Sequence, residues 1–406
     1  MPYEGDNMMG VKRNNRSAAL RILHEQGSMS RKRLSESIKL TPAAITKIVG
    51  EMIAEGLLTE GSMLPGSGVG RREVMVELNR RARAALGIFI NLRQAVVSAV
   101  WLDGSVIFSE SFDLPEKAPA EETVQMLCSR LTELSEENGL GRESIIGVGV
   151  AMRGFLSPDG RAVRNSFGAL SDFDFPVCDK VEALTGFPCL MRNNVRALFA
   201  AQMFLSPEPA LGSQFFLRCE AGIGASFSIG ERIWLGSSGQ CAEIGHIPVV
   251  PRGGKPCSCG KSGCLETIAS PNAILSDARA LLSEKRTPVL WRIMTGREPD
   301  ELTLDDVFEA AHSGDAEIAV LLDRAITTLA AALKGVIYTL DPGKIVLYGQ
   351  MFENPYYLSR LSAEMREGVD SGHSVPIEKS RLNHKLEDKA AGLLVVEDFF
   401  GKGGLL

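Results

Sequence analysis

Between Asn14 and Gln26, in "NNRSAALRILHEQ", the apolar positions Ala19, Leu20, Ile22 and Leu23 fall on one side of a helical period, which predicts a helix ended by Gly27. A second helix starts behind Ser30, whose hydroxyl suits a cap, and carries Leu34, Ile38 and Leu40 as its apolar positions. The third has the sharpest start signal: Thr41 is a cap and Pro42 takes the first helical position, where its missing N–H costs nothing. Ile45, Ile48, Val49, Met52 and Ile53 then recur at helical spacing, leaving Ala43, Thr46, Lys47 and Gly50 on the other face. After Gly56 the pattern becomes alternation, with Val74, Val76 and Leu78 on one side of a strand. This predicts strand, glycine-rich tip and strand, with Arg71 and Arg72 on the tip.

Three short helices with a tight turn between the second and third, followed by a two-stranded wing, form a winged helix-turn-helix over residues 1–82, in which the third helix enters the DNA major groove. Thr41, Ala43, Thr46 and Lys47 are the expected groove residues, and Arg71 and Arg72 suit phosphate or minor-groove contact. A small interaction bundle with solvated arginines would explain the charges. It would not explain the order of capped third helix and basic wing.

Residues 83–406 alternate differently. "AALGIFINLRQAVVSAVWLDGSVIFSESFDL" gives three apolar strands with turns at Asn91 to Gln94 and at Asp103-Gly104; a helix over Glu121 to Glu136 and a buried strand over Ile145 to Met152 follow. A second cycle opens at "SQFFLRCEAGIGASFSIGERIWLG", again as strand, turn, strand, turn, strand. The chain ends with a long helix around Ala325 to Leu340, the strand "KIVLYG" and the helix "DKAAGLLVVEDFF". The pattern predicts an α/β fold of two similar lobes with a cleft between them.

Composition narrows the classes. With 406 residues and 45% hydrophobic content, the chain can bury a substantial core. It contains no apolar run of membrane-spanning length, and its N-terminus lacks the apolar centre of a secretory signal, so a cytoplasmic protein without a membrane partner is expected. The net charge of −6 hides an asymmetry: residues 1–82 hold 13 Lys and Arg against 9 Asp and Glu, and the remainder 31 against 41. That acidic bulk excludes a general polyanion binder and confines nucleic-acid contact to the front segment.

Of eight cysteines, Cys128, Cys178, Cys189, Cys219 and Cys241 are scattered among apolar neighbours, whereas Cys257, Cys259 and Cys264 lie close together downstream of His246. Three thiolates and one imidazole make a closed tetrahedral set for Zn²⁺, and glycines at 253, 254, 260 and 263 let the backbone wrap the ion. The site is expected to be structural, because a closed set leaves no position for a reactive water. Redox thiols are the other reading, which the C-x-C spacing does not favour. Pinning the loop would hold Glu243, His246 and Glu266 at one wall.

"AEIGHIPVV" with "CSCGKSGCLETIAS", the loop "GVAMRGFLSPDG" and the strand "DPGKIVLYG" together make residues 84–406 resemble the sugar-kinase-like domain of the ROK family, named for repressor, open reading frame, kinase. The winged helix-turn-helix in front resembles the repressor branch. The resemblance implies an actin-like ATPase fold and a homodimer or homotetramer. It also implies that Glu243 and Glu266 bind sugar hydroxyls and that His246 both ligates zinc and faces the sugar. A sugar held by Asn193, Asn194, Glu243, His246 and Glu266, with Gly154 and Asn165 contributing from facing loops, is expected to close the lobes.

Where family kinases carry an Asp-x-Gly-Gly-Thr phosphate loop, "LGIFINLRQ" has Phe89 for the aspartate, Asn91 and Leu92 for the glycines and Arg93 for the threonine. The second phosphate loop has Glu220 and Ala221 in place of Gly-Thr, and "IVLYGQM" offers Gly349 alone instead of a glycine run. The catalytic Asn-Asp corresponds to Asn193-Asn194, and an amide cannot accept a sugar hydroxyl's proton although it can still hydrogen-bond the hydroxyl. The expectation is therefore a sugar-responsive transcriptional regulator, most simply a repressor released from its operator by a sugar or sugar phosphate, with an enzymatically dead kinase fold as sensor. Arg153, where the family often has proline, points toward a phosphorylated or acidic sugar. An active sugar kinase with an appended DNA-binding domain and a zinc-dependent scaffold are the competing readings.

Overall fold

Helix α1 (Met8–Gln26) buries Ala19, Leu20 and Leu23, and a two-residue strand β1 (Met29–Ser30) leads into α2 (Arg31–Ile38). The computed structural model describes residues 8–63, 73–115, 117–206, 212–367, 374–380, 382 and 386–405. Ser30 Oγ accepts from the Arg33 N–H and caps α2; Thr41 Oγ1 accepts from the Ala44 N–H and caps α3 (Pro42–Ala54). Ile45, Ile48, Val49 and Met52 of α3 are buried. Strands β2 (Leu58–Met63) and β3 (Val74–Leu78) pair antiparallel, and β1 joins the other side of β3. The segment is thus three helices and a strand hairpin, in the order the periodicity predicts. Arg71 and Arg72 lie outside the described residues.

Next come β4 (Ala84–Ile90), β5 (Gln94–Trp101) and β6 (Val106–Asp113), antiparallel neighbours, then α4 (Ala120–Glu137) and β7 (Ile145–Met152), which returns parallel to β4. A short hairpin, β8 (Phe155–Leu156) and β9 (Val163–Asn165), precedes α5 (Val177–Thr185), β10 (Cys189–Asn193) and α6 (Asn194–Leu205). The sheet order is β10-β7-β4-β5-β6. Leu86, Ile88, Val97, Val148 and Val150 face a core completed by Leu127 and Leu131 of α4 and Val181 of α5.

The second sheet repeats this plan. β11 (Ser213–Cys219), β12 (Ile223–Ile229) and β13 (Arg232–Ile233) are antiparallel neighbours. Helices α7 (Glu266–Ala269), α8 (Pro271–Leu281), α9 (Pro288–Ile293), α10 (Leu304–His312) and α11 (Ala316–Leu340) follow. Then β14 (Lys344–Tyr348), α12 (Pro355–Arg366) and β15 (Ile377–Lys379) complete the order β13-β12-β11-β14-β15, with β14 parallel to β11. Both sheets are thus a three-stranded meander followed by two parallel strands, the plan of an actin-like lobe. Helix α11 starts earlier than the stretch around Ala325, because Ile318 and Leu322 extend its buried face toward the N-terminus.

The last helix, α13 (Glu387–Gly401), packs against β4, β5, β7 and α6 of the first sheet rather than on the second. Contacts accordingly divide the chain into one unit, Met1–Pro207 with Lys385–Leu406, and a second, Glu208–His384. The sequence boundary at 82/83 falls inside the first unit. No helix among the described residues is long and apolar enough to cross a membrane.

Helix α1 reaches the end of α6 through His24, whose ring stacks on Phe204 at 4.2 Å and meets Phe400 edge-on at 5.8 Å. Its Nε2 lies 3.0 Å from the Phe204 carbonyl oxygen, to which the neutral ring donates. Burial holds the imidazole below its usual pKa of 6.5. The unfolded chain takes up this proton first, so the stabilising contribution is complete above pH 6.5 and declines as pH falls below it. Thermal unfolding should therefore lose stability on acidification from neutrality, and His24→Gln, whose amide can still donate to Phe204, should remove that part of the loss. Identical pH profiles for the two proteins would refute the assignment.

Candidate metal centre and asparagine cluster

In the second unit, the chain after β13 turns through Ala242, a non-glycine residue with φ of 67°, into a single 3-10 turn at Ile244–His246. A left-handed alanine is disfavoured by sterics, and its persistence between Cys241 and Glu243 marks a backbone set by its surroundings. From His246 the chain runs through an irregular glycine-rich segment held by isolated bridges between Pro248 and Cys264 and between Pro256 and Ser262.

That segment brings His246, Cys257, Cys259 and Cys264 together, with one ligand atom from each inside 4.8 Å of the others. Cys257 Sγ lies 3.4 Å from His246 Nδ1 and Cys259 Sγ lies 3.7 Å from Cys264 Sγ. Zn–S bonds of about 2.3 Å at tetrahedral angles require sulfur–sulfur edges of roughly 3.8 Å, so the observed spacing fits such a centre. The four side chains could hold a metal ion such as zinc. Burial raises the Cys257 and Cys264 thiols above the ordinary range. For Cys259, burial also acts upward but is outweighed by the Lys261 N–H and the neighbouring thiols, and the net shift is downward.

Glu266, the first residue of α7, abuts the cluster: its Oε1 is 2.9 Å from Cys257 Sγ and 3.5 Å from His246 Nδ1, and the two side chains of the latter pair are each only 13% exposed. The Lys261 ammonium donates to the His246 carbonyl at 3.1 Å. The structure thus gathers His246, Glu266 and the three cysteines, with Glu243 three residues before His246. In the turn after β11, Glu220 Oε1 accepts the Gln350 N–H at 3.1 Å, so a carboxylate already takes up that backbone donor.

In the first unit, β10 delivers Asn193 and Asn194 to the start of α6. Asn193 Oδ1 accepts the Val195 and Arg196 N–H groups and caps the helix, while its Nδ2 donates to the Gly154 carbonyl at 3.1 Å. Gly154 has φ of +120° and stands so close to Asn165 that a Cβ would lie 2.1 Å from the Asn165 carbonyl oxygen, a position only glycine can take. Gly154, Asn165, Asn193 and Asn194 are therefore neighbours.

Two residues join them that sequence reasoning did not select as ligands. The buried Asn194 donates through Nδ2 to Asn91 Oδ1 at 3.0 Å, and Asn91 donates to Glu387 Oε1 at 3.3 Å. Asn91 was visible only as a lost glycine, and nothing near Glu387 in sequence announces a partner 296 residues away. On α3, Thr41, Ala43, Thr46, Lys47 and Gly50 are all exposed. Thr46 Oγ1 donates back to the Pro42 carbonyl at 2.7 Å.

A profile described as the ROK family matches residues 93–394. The chain is 25% identical over 384 residues to the DNA-binding transcriptional dual regulator NagC of Escherichia coli (strain K12), covering 92% of this chain and 90% of that protein. It is 31% identical over 208 residues to a glucokinase of Halalkalibacterium halodurans, covering 51% of this chain and 62% of the enzyme. A crystal structure of a ROK family transcriptional regulator, a homologue of the E. coli Mlc protein, superposes with a TM-score of 0.79 at 22% identity, over 97% of this chain and 98% of that one.

Proposed function

The chain belongs to the ROK family, and from that premise we propose that it is a sugar-responsive DNA-binding transcriptional regulator whose kinase-like lobes sense the effector without turning it over. The observation that carries this reading is the span of the likeness: the regulator aligns over 92% of the chain, more than the lobes alone could supply, whereas the glucokinase aligns over 51%. Residues 1–82 are the DNA-binding part, with Thr41, Ala43, Thr46 and Lys47 in the major groove and Arg71 and Arg72 on the wing; residues 83–406 are the sensor. A dimer is the assembly that matches a two-fold operator. Zinc at His246, Cys257, Cys259 and Cys264 is structural. It holds Glu266 and His246 where, with Glu243, Gly154, Asn165, Asn193 and Asn194, they bind the hydroxyls of a sugar or sugar phosphate.

Three local features support the loss of phosphoryl transfer. Phe89 is buried apolar bulk where the kinases have a carboxylate, Glu220 presents negative charge beside the Gln350 N–H, and the Asn194 amide, spent on Asn91 and the Val195 N–H, is no base.

The test titrates glucose, N-acetylglucosamine and their 6-phosphates into the complex with a duplex selected from a random pool. One of them should weaken operator binding by about 5- to 150-fold, Glu243→Ala should abolish that response, and Arg153→Ala should remove any preference for the phosphate. Lys47→Ala should weaken operator binding without effector and lower the slope of log affinity against log salt by about one. Indifference of the wild type to every sugar would sink the sensor reading, and phosphate transfer from ATP would favour an active kinase.

A further inference from the structure

The sequence places a basic residue, Arg16, in the middle of the first helix, and the fold buries it completely. A guanidinium is tolerated in the interior only when its donors are engaged. Arg16 Nε donates to the Gly403 carbonyl at 2.7 Å, Nη1 donates to Glu55 Oε1 at 2.9 Å, and Nη2 pairs with Glu55 Oε2. Glu55 is the C-terminal cap residue of α3, the helix assigned to the major groove, and Gly403 follows Lys402, the cap residue at the end of α13. The approach is close: Gly403 has φ of +70°, and a Cβ there would stand 2.9 Å from Arg16 Cβ.

The far ends of the helices that meet here also coincide. Helix α6 begins at Asn194 and ends near Phe204, which stacks on His24 of α1; α13 begins at Glu387 and carries Phe400, 5.6 Å from Phe204, near its end. Asn91 joins their starts, accepting from Asn194 and donating to Glu387. Two packed helices, about 18 Å and about 22 Å long at ~1.5 Å per residue, thus run from one asparagine cluster to one joint under the recognition helix.

We propose that Arg16 is a positioning residue for DNA recognition: its fork locks the end of α3 to the end of α13, and α6 and α13 connect that lock to the Asn91–Asn194–Glu387 cluster. The proposal rests on the regulator reading, because Asn194 is taken there as an effector ligand. A sugar hydroxyl that bonds Asn194 competes with Asn91 for the same amide and alters how the starts of α6 and α13 are tied. The joint converts the shift into a different seating of α3. A buried charge cannot be left half-paired, so the joint favours discrete arrangements over continuous slack.

The experiment uses the full chain and the four sugar probes named above, reading operator affinity with and without saturating probe, and probe affinity without DNA. Arg16→Met keeps the bulk and removes the fork. It should bind probe within about twofold of wild type, while the probe-dependent change in operator affinity falls from the 5- to 150-fold range to below about twofold. Arg16→Lys, which keeps the charge but not the two-pronged geometry, should restore part of the change. Glu55→Gln, which keeps one amide oxygen to accept from the fork and leaves Glu51 3.9 Å from Nη1, should reduce it as well, and it decides the question alone if Arg16→Met does not fold. A merely structural role would lower the unfolding temperature and leave the ratio of affinities intact. Wild-type ratios in the foldable variants overturn the proposal while leaving the regulator reading standing; a wild type that responds to no probe overturns both.

Discussion

Cys259→Ser protein is expected to be purified with less than about a tenth of an equivalent of zinc per chain where the wild type carries one, since structural zinc is bound with roughly 10–16 kcal/mol shared among four ligands. Loss of one thiolate removes on the order of a quarter of that, at least about a hundredfold in affinity, and opens a position that water fills. The consequence reaches beyond the metal. The segment between His246 and Glu266 is largely exposed and irregular, and apart from the ligands its inward-facing contacts are few: Val249 and Leu265 against the core, Gly263 and the isolated bridges. Without the ion, the thiols are protonated and meet one another and the Glu266 carboxylate through weak S–H contacts only, Cys257 with Glu266 and Cys259 with Cys264. Glu266 and His246 should then lose their fixed positions, the segment should become a site of rapid proteolysis, and sugar affinity should fall with zinc content across a chelator titration. Cys219→Ser and Cys241→Ser, outside the cluster, should keep full zinc. A Cys259→Ser protein with one equivalent of zinc and unchanged sugar affinity would show that these four side chains do not form the centre.

The cluster was legible because its chemistry is local: a histidine and three cysteines within twenty residues can hardly serve different places in the fold. The front helices were legible for a similar reason. Caps at Ser30 and Thr41, a proline at the first position of α3 and a helical apolar period are all written within a few residues of what they control. What escaped are contacts between residues far apart in sequence. Arg16 reads as one more basic residue in a basic segment until Gly403, 387 residues later, closes over it. Helix α13 was recognised as a helix, but that it belongs to the first sheet follows from shape complementarity, which no periodicity records. Asn91 was read only as a glycine lost from a phosphate loop, and its contacts, joining Asn194 to Glu387, needed the fold.

The same distinction governs the second large effect, expected from a change as small as one methyl group. Along β7 the residues Val148, Val150 and Met152 face the core under α4, and the alternate positions Gly147, Gly149 and Ala151 face the other way. In the sequence "IIGVGVAM" the glycines look like weak points of a strand. In the fold they are the seat of α13: a Cβ on Gly149 would lie 1.8 Å from the Ala391 carbonyl oxygen, and one on Gly87 of β4 would lie 2.7 Å from the Gly392 nitrogen. Helix backbone therefore rests on sheet backbone. Neither side can yield by turning a side chain aside, so Gly149→Ala must lift α13 off the sheet. Overpacking of this kind costs on the order of 3 kcal/mol, or roughly 10 °C in the unfolding midpoint of a unit this size. Gly50→Ala provides the contrast, because that exposed position in α3 has nothing within 4 Å of the new methyl and lies in a helix, where alanine should stabilise by about 1 kcal/mol. Because α13 ends at the Arg16 joint, the lifted helix should also lower operator affinity at temperatures where the protein is still folded. Equal unfolding midpoints for Gly149→Ala and wild type would mean that α13 does not bear on β7 in solution, and with it the route from the asparagine cluster to the recognition helix would lose its stiff element.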